Sequence, residues 1–364
     1  MTSPTPRPGL ARIGGPMAPI PTLSHPGMHR LCSNENPLGP SPHAIAAATA
    51  ALARGHEYPE GEGGPLIEAV AARFTLAPDR IRTGPGSDTL VLNAVLAFAG
   101  PGDAIVFPAR GYARYQRNAL IAGATPIPVS DTNFRPDLDR LLDAVTPQTR
   151  LVMLANPDNP SGAMLPLADI ESFHARLPGH VLLLLDGAYA DYVRNPAYGD
   201  GGLALSARAD NVLVSRTFSK LFGMAGMRLG WLTGAPALLD AVGKVGPTFP
   251  VSVPAMAAGL AALADHDHQR ASRAHNDHWL PWLEGRLAQH PALTVYPSQS
   301  NFLLVGCPTP GIAQACTAHL AEHGLLIRSF GPGAHASQIR ISIGAGPALE
   351  KAAELIEAVL AAHV

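Results

Sequence analysis

The chain has 364 residues, a length that suits two domains or one large and one small, and its 47% hydrophobic and 15% charged content fits a globular protein and excludes a disordered one. Its formal charge of -2 gives no electrostatic basis for binding nucleic acid or an anionic membrane. Three cysteines, Cys32, Cys307 and Cys316, offer neither a disulfide framework nor a zinc knuckle and suit a reducing cytoplasm.

Residues 1–26 are rich in proline and glycine and lack the continuous apolar core of a secretory signal, so an extended arm is expected. From about residue 44 to residue 233, short apolar runs alternate with alanine-rich segments of helical period. That alternation predicts an α/β domain built on a mainly parallel sheet. Strands are expected at 104–107, 151–155, 181–185, 212–215 and 229–232. A break at Gly246-Pro247-Thr248-Phe249-Pro250 precedes a long helical region, and 302–305 and 339–343 read as strands of a smaller α+β unit. The expected division is an arm with part of the small domain at 1–43, a large domain at 44–246 and a C-terminal domain at 247–364. The apolar stretches at 181–185 and 255–264 are too short to cross a bilayer as helices. His266, His268, His275 and His278 sit in a polar stretch without a cysteine or carboxylate pattern, so solvated helix faces are expected there and no metal site.

Polar residues gather where strands end, which is where ligands collect in sheets of this kind. Gly84-Pro85-Gly86-Ser87-Asp88 opens a helical segment, and its free N–H groups and dipole make an anion cup. Plain capping by Ser87 or Asp88 gives the same pattern. Tyr112 offers a ring for stacking on a flat heteroaromatic group, or for packing in the core. Asn156-Pro157-Asp158-Asn159-Pro160-Ser161-Gly162 is a stiff turn that presents an amide rigidly. Asp186 ends an almost wholly apolar strand, where a carboxylate needs a cationic partner or serves as a helix cap. A protonated pyridine nitrogen is one such partner, and Tyr189 would then meet the ring oxygen alongside Asn159. Finally, Ser215-Arg216-Thr217-Phe218-Ser219-Lys220 places an amine at a strand end beside hydroxyls, with Arg228 a short loop away. Those groups suit a Schiff base to pyridoxal phosphate, with Thr217, Ser219 and Arg228 holding the phosphate.

These segments, together with Ser33-Asn34-Glu35-Asn36-Pro37-Leu38-Gly39-Pro40-Ser41-Pro42, Tyr58-Pro59-Glu60, Ser300-Asn301-Phe302 and Ile339-Arg340-Ile341-Ser342-Ile343-Gly344, span residues 33–344. In that order they resemble the fold-type I pyridoxal phosphate enzymes of the class I/II aminotransferase group, and within it the histidinol-phosphate aminotransferase family. The resemblance implies pyridoxal 5'-phosphate as cofactor, with Lys220 as Schiff-base lysine and proton shuttle, and Asp186 on the pyridine nitrogen. It implies Asn159 and Tyr189 on the phenolic oxygen, Tyr112 as the stacking ring, and Gly86, Ser87, Asp88, Thr217, Ser219 and Arg228 around the phosphate. Arg340, Arg328, Asn301 and Asn36 match substrate-binding positions, and Tyr58 matches a tyrosine that reaches the neighbouring subunit's cofactor. A homodimer with shared active sites follows, taking a small-molecule amino donor and a 2-oxo acid acceptor. Two departures stand out. Gly187 replaces the family's usual glutamate after the ring-binding aspartate, and no tyrosine precedes Tyr58 to cover a substrate phosphate.

The cofactor motifs alone do not fix which bond at Cα breaks. A decarboxylase, lyase or cyclase on the same scaffold, resembling the threonine-phosphate decarboxylases, is the alternative. A cofactor-binding regulator would not need Lys220, Asp186 and Arg340 together, and Gly84-Pro85-Gly86 lacks the full glycine fingerprint of a dinucleotide site.

Overall fold

The computed structural model describes residues 5–13, 28–59 and 64–363. Among the described residues, twelve strands form two sheets: β1 (His29–Leu31), β2 (Ile81–Gly84), β3 (Ala104–Pro108), β4 (Thr125–Val129), β5 (Thr149–Ala155), β6 (Leu182–Asp186), β7 (Val212–Thr217), β8 (Gly230–Gly234), β9 (Thr294–Tyr296), β10 (Phe302–Gly306), β11 (Leu325–Ser329) and β12 (Gln338–Ser342). The larger sheet runs β2-β8-β7-β6-β5-β3-β4. All its neighbouring pairs are parallel except those made by β8, which is antiparallel to β2 and β7.

Burial on both faces explains why β5, β6 and β7 read as unbroken apolar runs. Side chains alternate across the pleat, so Val152, Leu154, Leu183, Leu185, Val212 and Val214 join the core on one face. Leu151, Met153, Leu182, Leu184 and Leu213 join the core on the other. Each such leucine contributes about 1.5–3 kcal/mol by leaving water. Helix Val253–Ala264, beyond the expected boundary at 246, also packs on the first face through Ala255, Ala258 and Ala262, against the alanine-rich helix Pro42–Ala51.

The smaller sheet runs β1-β11-β12-β10-β9 and carries a separate core with helices Pro310–Glu322 and Gly346–His363. Only its β1–β11 pair is parallel.

Three expectations change. Within the N-terminal arm, Pro8–Ala11 is a helical turn rather than extended chain, and residues 1–4 and 14–27 lie outside the described residues. Its Arg7 donates to the Ile121 carbonyl at 2.7 Å. β4 lies outside the expected strands; Thr125-Pro126-Ile127-Pro128-Val129 carries two prolines and forms an edge strand, where missing N–H donors cost little. Of the four histidines expected in solvent, His268 and His275 instead hold the carbonyls of Gly39 and Gly344 at 2.9 and 2.8 Å.

Candidate active site

Register brings the motifs together. Ala155 pairs with Asp186 and Asp186 with Ser215, so the ends of β5, β6 and β7 lie side by side. Thr217 and Gly84 both pair with Gly230, which sets the anion cup against the lysine segment. A Cβ on Gly230 would sit 2.5 Å from the Ser87 nitrogen, so only glycine permits this approach.

An inner cavity of about 160 Å³ is bounded by Ser87, Asp186, Thr217, Ser219, Lys220 and Arg228, among others. Helix Ser87–Phe98 points its free N–H groups into it. Its N-cap is Gly86 at φ 88° and ψ 153°, a backbone region open essentially to glycine alone, with no side-chain cap, so neither Ser87 nor Asp88 is used for capping. The Asp88 carboxylate receives two bonds from Arg114, at 3.1 and 2.9 Å, which leaves its backbone rather than its side chain for an anion. Arg228, itself left-handed at φ 52°, lies against Gly86; a Cβ there would meet its guanidinium at 2.7 Å.

Asp186 closes the far end. Ser215 Oγ donates to it at 2.9 Å and the buried Tyr115 hydroxyl at 3.4 Å. Neither is a cation, and burial raises its carboxyl above the ordinary range. A buried carboxylate bonded only by neutral donors fits a protonated ring nitrogen as its missing partner. It caps no helix, since it is the last residue of β6.

Lys220 stands between this cavity and a wider outer one of about 530 Å³, and Tyr112, Asn159 and Tyr189 line both. Its Nζ donates to the Ser33 carbonyl at 3.1 Å and lies 5.7 Å from the Tyr189 ring centroid. Burial, with the Arg340 cation, lowers its pKa to about 8. Tyr189 Oη accepts from Asn34 Nδ2 at 2.9 Å and from Asn159 Nδ2 at 3.3 Å. Arg340 donates to Asn159 Oδ1 at 2.6 Å and to the Cys32 carbonyl at 2.8 Å. Only 8% exposed, it has no carboxylate partner among the described residues, and burial lowers its pKa. Arg328, paired with it in register across β11 and β12, lines the outer cavity.

The amine, the buried acid, the paired amides, the hydroxyls and the helix N-terminus therefore converge, and the donor set fits pyridoxal phosphate. Four expected residues line neither cavity, the first being Gly86, which serves as the helix N-cap beside Arg228. Asn36 spends its amide on the Leu221 carbonyl, the Ser272 hydroxyl and the Leu38 N–H, holding the chain turn instead of a substrate. Asn301 is buried behind the wall and donates to the Asn34 carbonyl at 3.1 Å. Tyr58 is 78% exposed and stacks on Phe249 at 4.5 Å, away from both cavities.

Asn34 holds the place that sequence reasoning gave to Asn36. It bonds Tyr189 and Ser342 and adopts φ 54°. Two asparagines two residues apart in one motif carry no signal of which faces inward. Tyr115, in the first turn of helix Arg114–Ala122, is fully buried, and nothing in the sequence separates its contact with Asp186 from ordinary core packing.

The family model for aminotransferase class I and II matches residues 26–359. The chain is 42% identical over 362 residues to a histidinol-phosphate aminotransferase of Rhodospirillum centenum, covering 98% of each protein. It is 40% identical over 352 residues to that of Paramagnetospirillum magneticum, covering 95% of this chain and 96% of that protein. Among solved structures, the histidinol-phosphate aminotransferase of Sinorhizobium meliloti in complex with pyridoxal-5'-phosphate superposes with a TM-score of 0.86 at 30% identity, over 92% of this chain and 91% of that one. Sequence match, fold and convergent site agree, and the chain belongs to the aminotransferase class I and II family.

Proposed function

We propose that this aminotransferase moves an amino group between an amine with a distal phosphate, of the histidinol-phosphate type, and a 2-oxo acid, with pyridoxal 5'-phosphate as cofactor. The observation that carries the substrate class is the outer cavity. Arg340, Arg328, Arg117 and Arg12 line it, and no carboxylate does among the described residues. A buried guanidinium without a counter-ion is costly unless an incoming anion completes it.

Ser87, Thr217, Ser219, Arg228 and the helix N-terminus would hold the cofactor phosphate, Asp186 its ring nitrogen and Tyr112 its face. When bound, the cofactor supplies an aldehyde carbon and an electron-withdrawing ring. Lys220, with a pKa near 8, has a neutral amine within reach near neutral pH. It takes the proton from the substrate carbon and returns it to the acceptor position, as general base and then acid. Tyr189, fixed by Asn34 and Asn159, would bond the phenolic oxygen. Arg340 would grip the nearer anionic group and thereby hold the reacting carbon over Lys220.

We place the protein in the cytoplasm as a homodimer. Its described cysteines are all free. Ile45, Leu52, Tyr58, Phe249 and Leu260 are large apolar side chains left exposed, more than scattered surface residues require. A second copy would cover this face and receive Tyr58 at its cofactor. No helix among the described residues is long and apolar enough to cross a membrane.

The test is direct. Purified protein loaded with pyridoxal phosphate and given histidinol phosphate and 2-oxoglutarate should form glutamate stoichiometrically. Carbon dioxide release from an amino acid without amino transfer would overturn the reading.

A further inference from the structure

The outer cavity has a basic rim that the matched motifs leave unassigned. Helix Arg114–Ala122 carries Arg114 and Arg117 one turn apart on one face. Arg114 is neutralised by the two bonds to Asp88 at the cofactor end. Arg117, one turn farther out, has no hydrogen-bond or ion-pair partner among the described residues, and its Nε is buried yet unbonded. It lines the outer cavity with Arg328, which is likewise without a partner among the described residues.

The N-terminal arm adds a second cation. Gly9 approaches the end of the same helix so closely that a Cβ there would lie 2.3 Å from the Leu120 carbonyl oxygen, and Arg7 bonds the next carbonyl, that of Ile121. This docking brings Arg12 and Ile13 to the cavity wall beside Leu120 and Arg117. Thus two elements far apart in sequence each bring to the same mouth a guanidinium that has no acidic partner among the described residues. A carboxylate tail is satisfied by one bidentate arginine, whereas a phosphate dianion has three oxygens and accepts several.

We propose that Arg117, assisted by Arg12 from the docked arm, binds the distal phosphate of the substrate together with Arg328 and so selects phosphorylated over unphosphorylated amines. This rests on the phosphorylated-amine reading above. The residue pair would act on substrate binding and not on the proton transfer at Lys220, so its effect belongs in KM.

The experiment compares histidinol phosphate with histidinol as amino donors to the cofactor-loaded protein, for wild type, Arg117→Gln, Arg117→Lys and Arg12→Gln. In Arg117→Gln, KM for histidinol phosphate should rise about 10-fold with kcat within about 2-fold, while KM for histidinol moves far less. Arg117→Lys should restore part of the loss, and Arg12→Gln should show a smaller rise of about 3-fold. Retention of the full preference for histidinol phosphate in Arg117→Gln would sink this assignment and leave the substrate class standing. Equal loss toward both amines would reduce Arg117 to a structural residue. A wild type that does not prefer the phosphorylated amine would remove the substrate class and this assignment with it.

Discussion

The two cavities that meet at Lys220 are built in opposite ways. Every wall of the inner one comes from the ends of adjacent strands of a single sheet, or from the helix and loops that follow them directly. Its geometry is fixed by backbone register, which a core buried on both faces holds rigidly. The outer one is assembled from the docked arm, helix Arg114–Ala122, the segment after β1, and β11 and β12 of the smaller sheet. The inner cavity carries hydroxyls, the Asn159 amide, Lys220, Arg228 and two acids, of which Asp88 is held by Arg114 and Asp186 only by neutral donors. The outer one carries guanidinium groups, several without partners among the described residues. A rigid inner cup suits one invariant cofactor, and a composite cationic mouth suits recognition of a particular anion.

The contrast can be broken first at its hinge. Lys220→Ala should lower amino transfer by more than about 10³-fold while leaving the fold intact, since only a partly buried amine is lost. Borohydride reduction followed by mass spectrometry should place the cofactor mass on Lys220 in wild type and nowhere in the variant. A pKa near 8 further predicts that cofactor attachment to the apoprotein accelerates with pH about a midpoint near 8, where an ordinary lysine would require about 10.4. A midpoint above 10 would show the amine to be unperturbed.

Next come the two walls. Asp186→Asn should reduce kcat about 10²-fold and weaken cofactor retention, an inner-cavity signature. Arg340→Gln should mainly raise KM for anionic substrates, by about 10- to 100-fold, with some loss in kcat because Arg340 also positions Asn159. If Asp186→Asn changed only KM, or Arg340→Gln only kcat, the division between a cofactor side and a substrate side would be wrong.

The smallest effect tests the turn that joins them. Asp158 is buried in the Asn156–Gly162 segment, and burial raises its carboxyl to about 7 despite bonds from Ser161. The folded state then keeps a proton that the unfolded chain loses near 3.8. Between those values the folded state binds more protons, so this residue's contribution to stability is full below pH 4 and declines as pH rises through 7. Asp158→Asn should remove that decline and stabilise the protein by about 1–3 kcal/mol at pH 8 relative to wild type, with little difference near pH 4. Parallel unfolding curves across pH 4–8 would exclude the effect.

How legible each region was follows the same line. The strands expected at 151–155, 181–185 and 212–215 are readable because fully buried parallel strands leave unbroken apolar runs, and the polar residues at their ends, Asn156, Asp186 and Ser215, are conspicuous. The outer mouth was only half readable. Arg340 and Arg328 stood out within a resemblance, but Arg117 and Arg12 look like surface charges until two segments dock. Asn36 was chosen over Asn34 because neither composition nor spacing shows which amide turns inward when the chain takes φ 54° at Asn34. Gly187, the departure from the resemblance, gains an account in space: a Cβ there would lie 3.0 Å from Arg216 Nε, so the arginine occupies the room a larger residue would need.

The amino-acid order by itself determined the α/β class, the central strands, and the set of groups able to serve pyridoxal phosphate, because those depend on burial periodicity and on chemistry carried within short segments. Only the tertiary structure decided which asparagine meets Tyr189, that Tyr115 lies beneath Asp186, and that arginines from four separate elements face one cavity. Such facts depend on long-range register and on charge left uncompensated after packing, and neither is a property of any local stretch of chain.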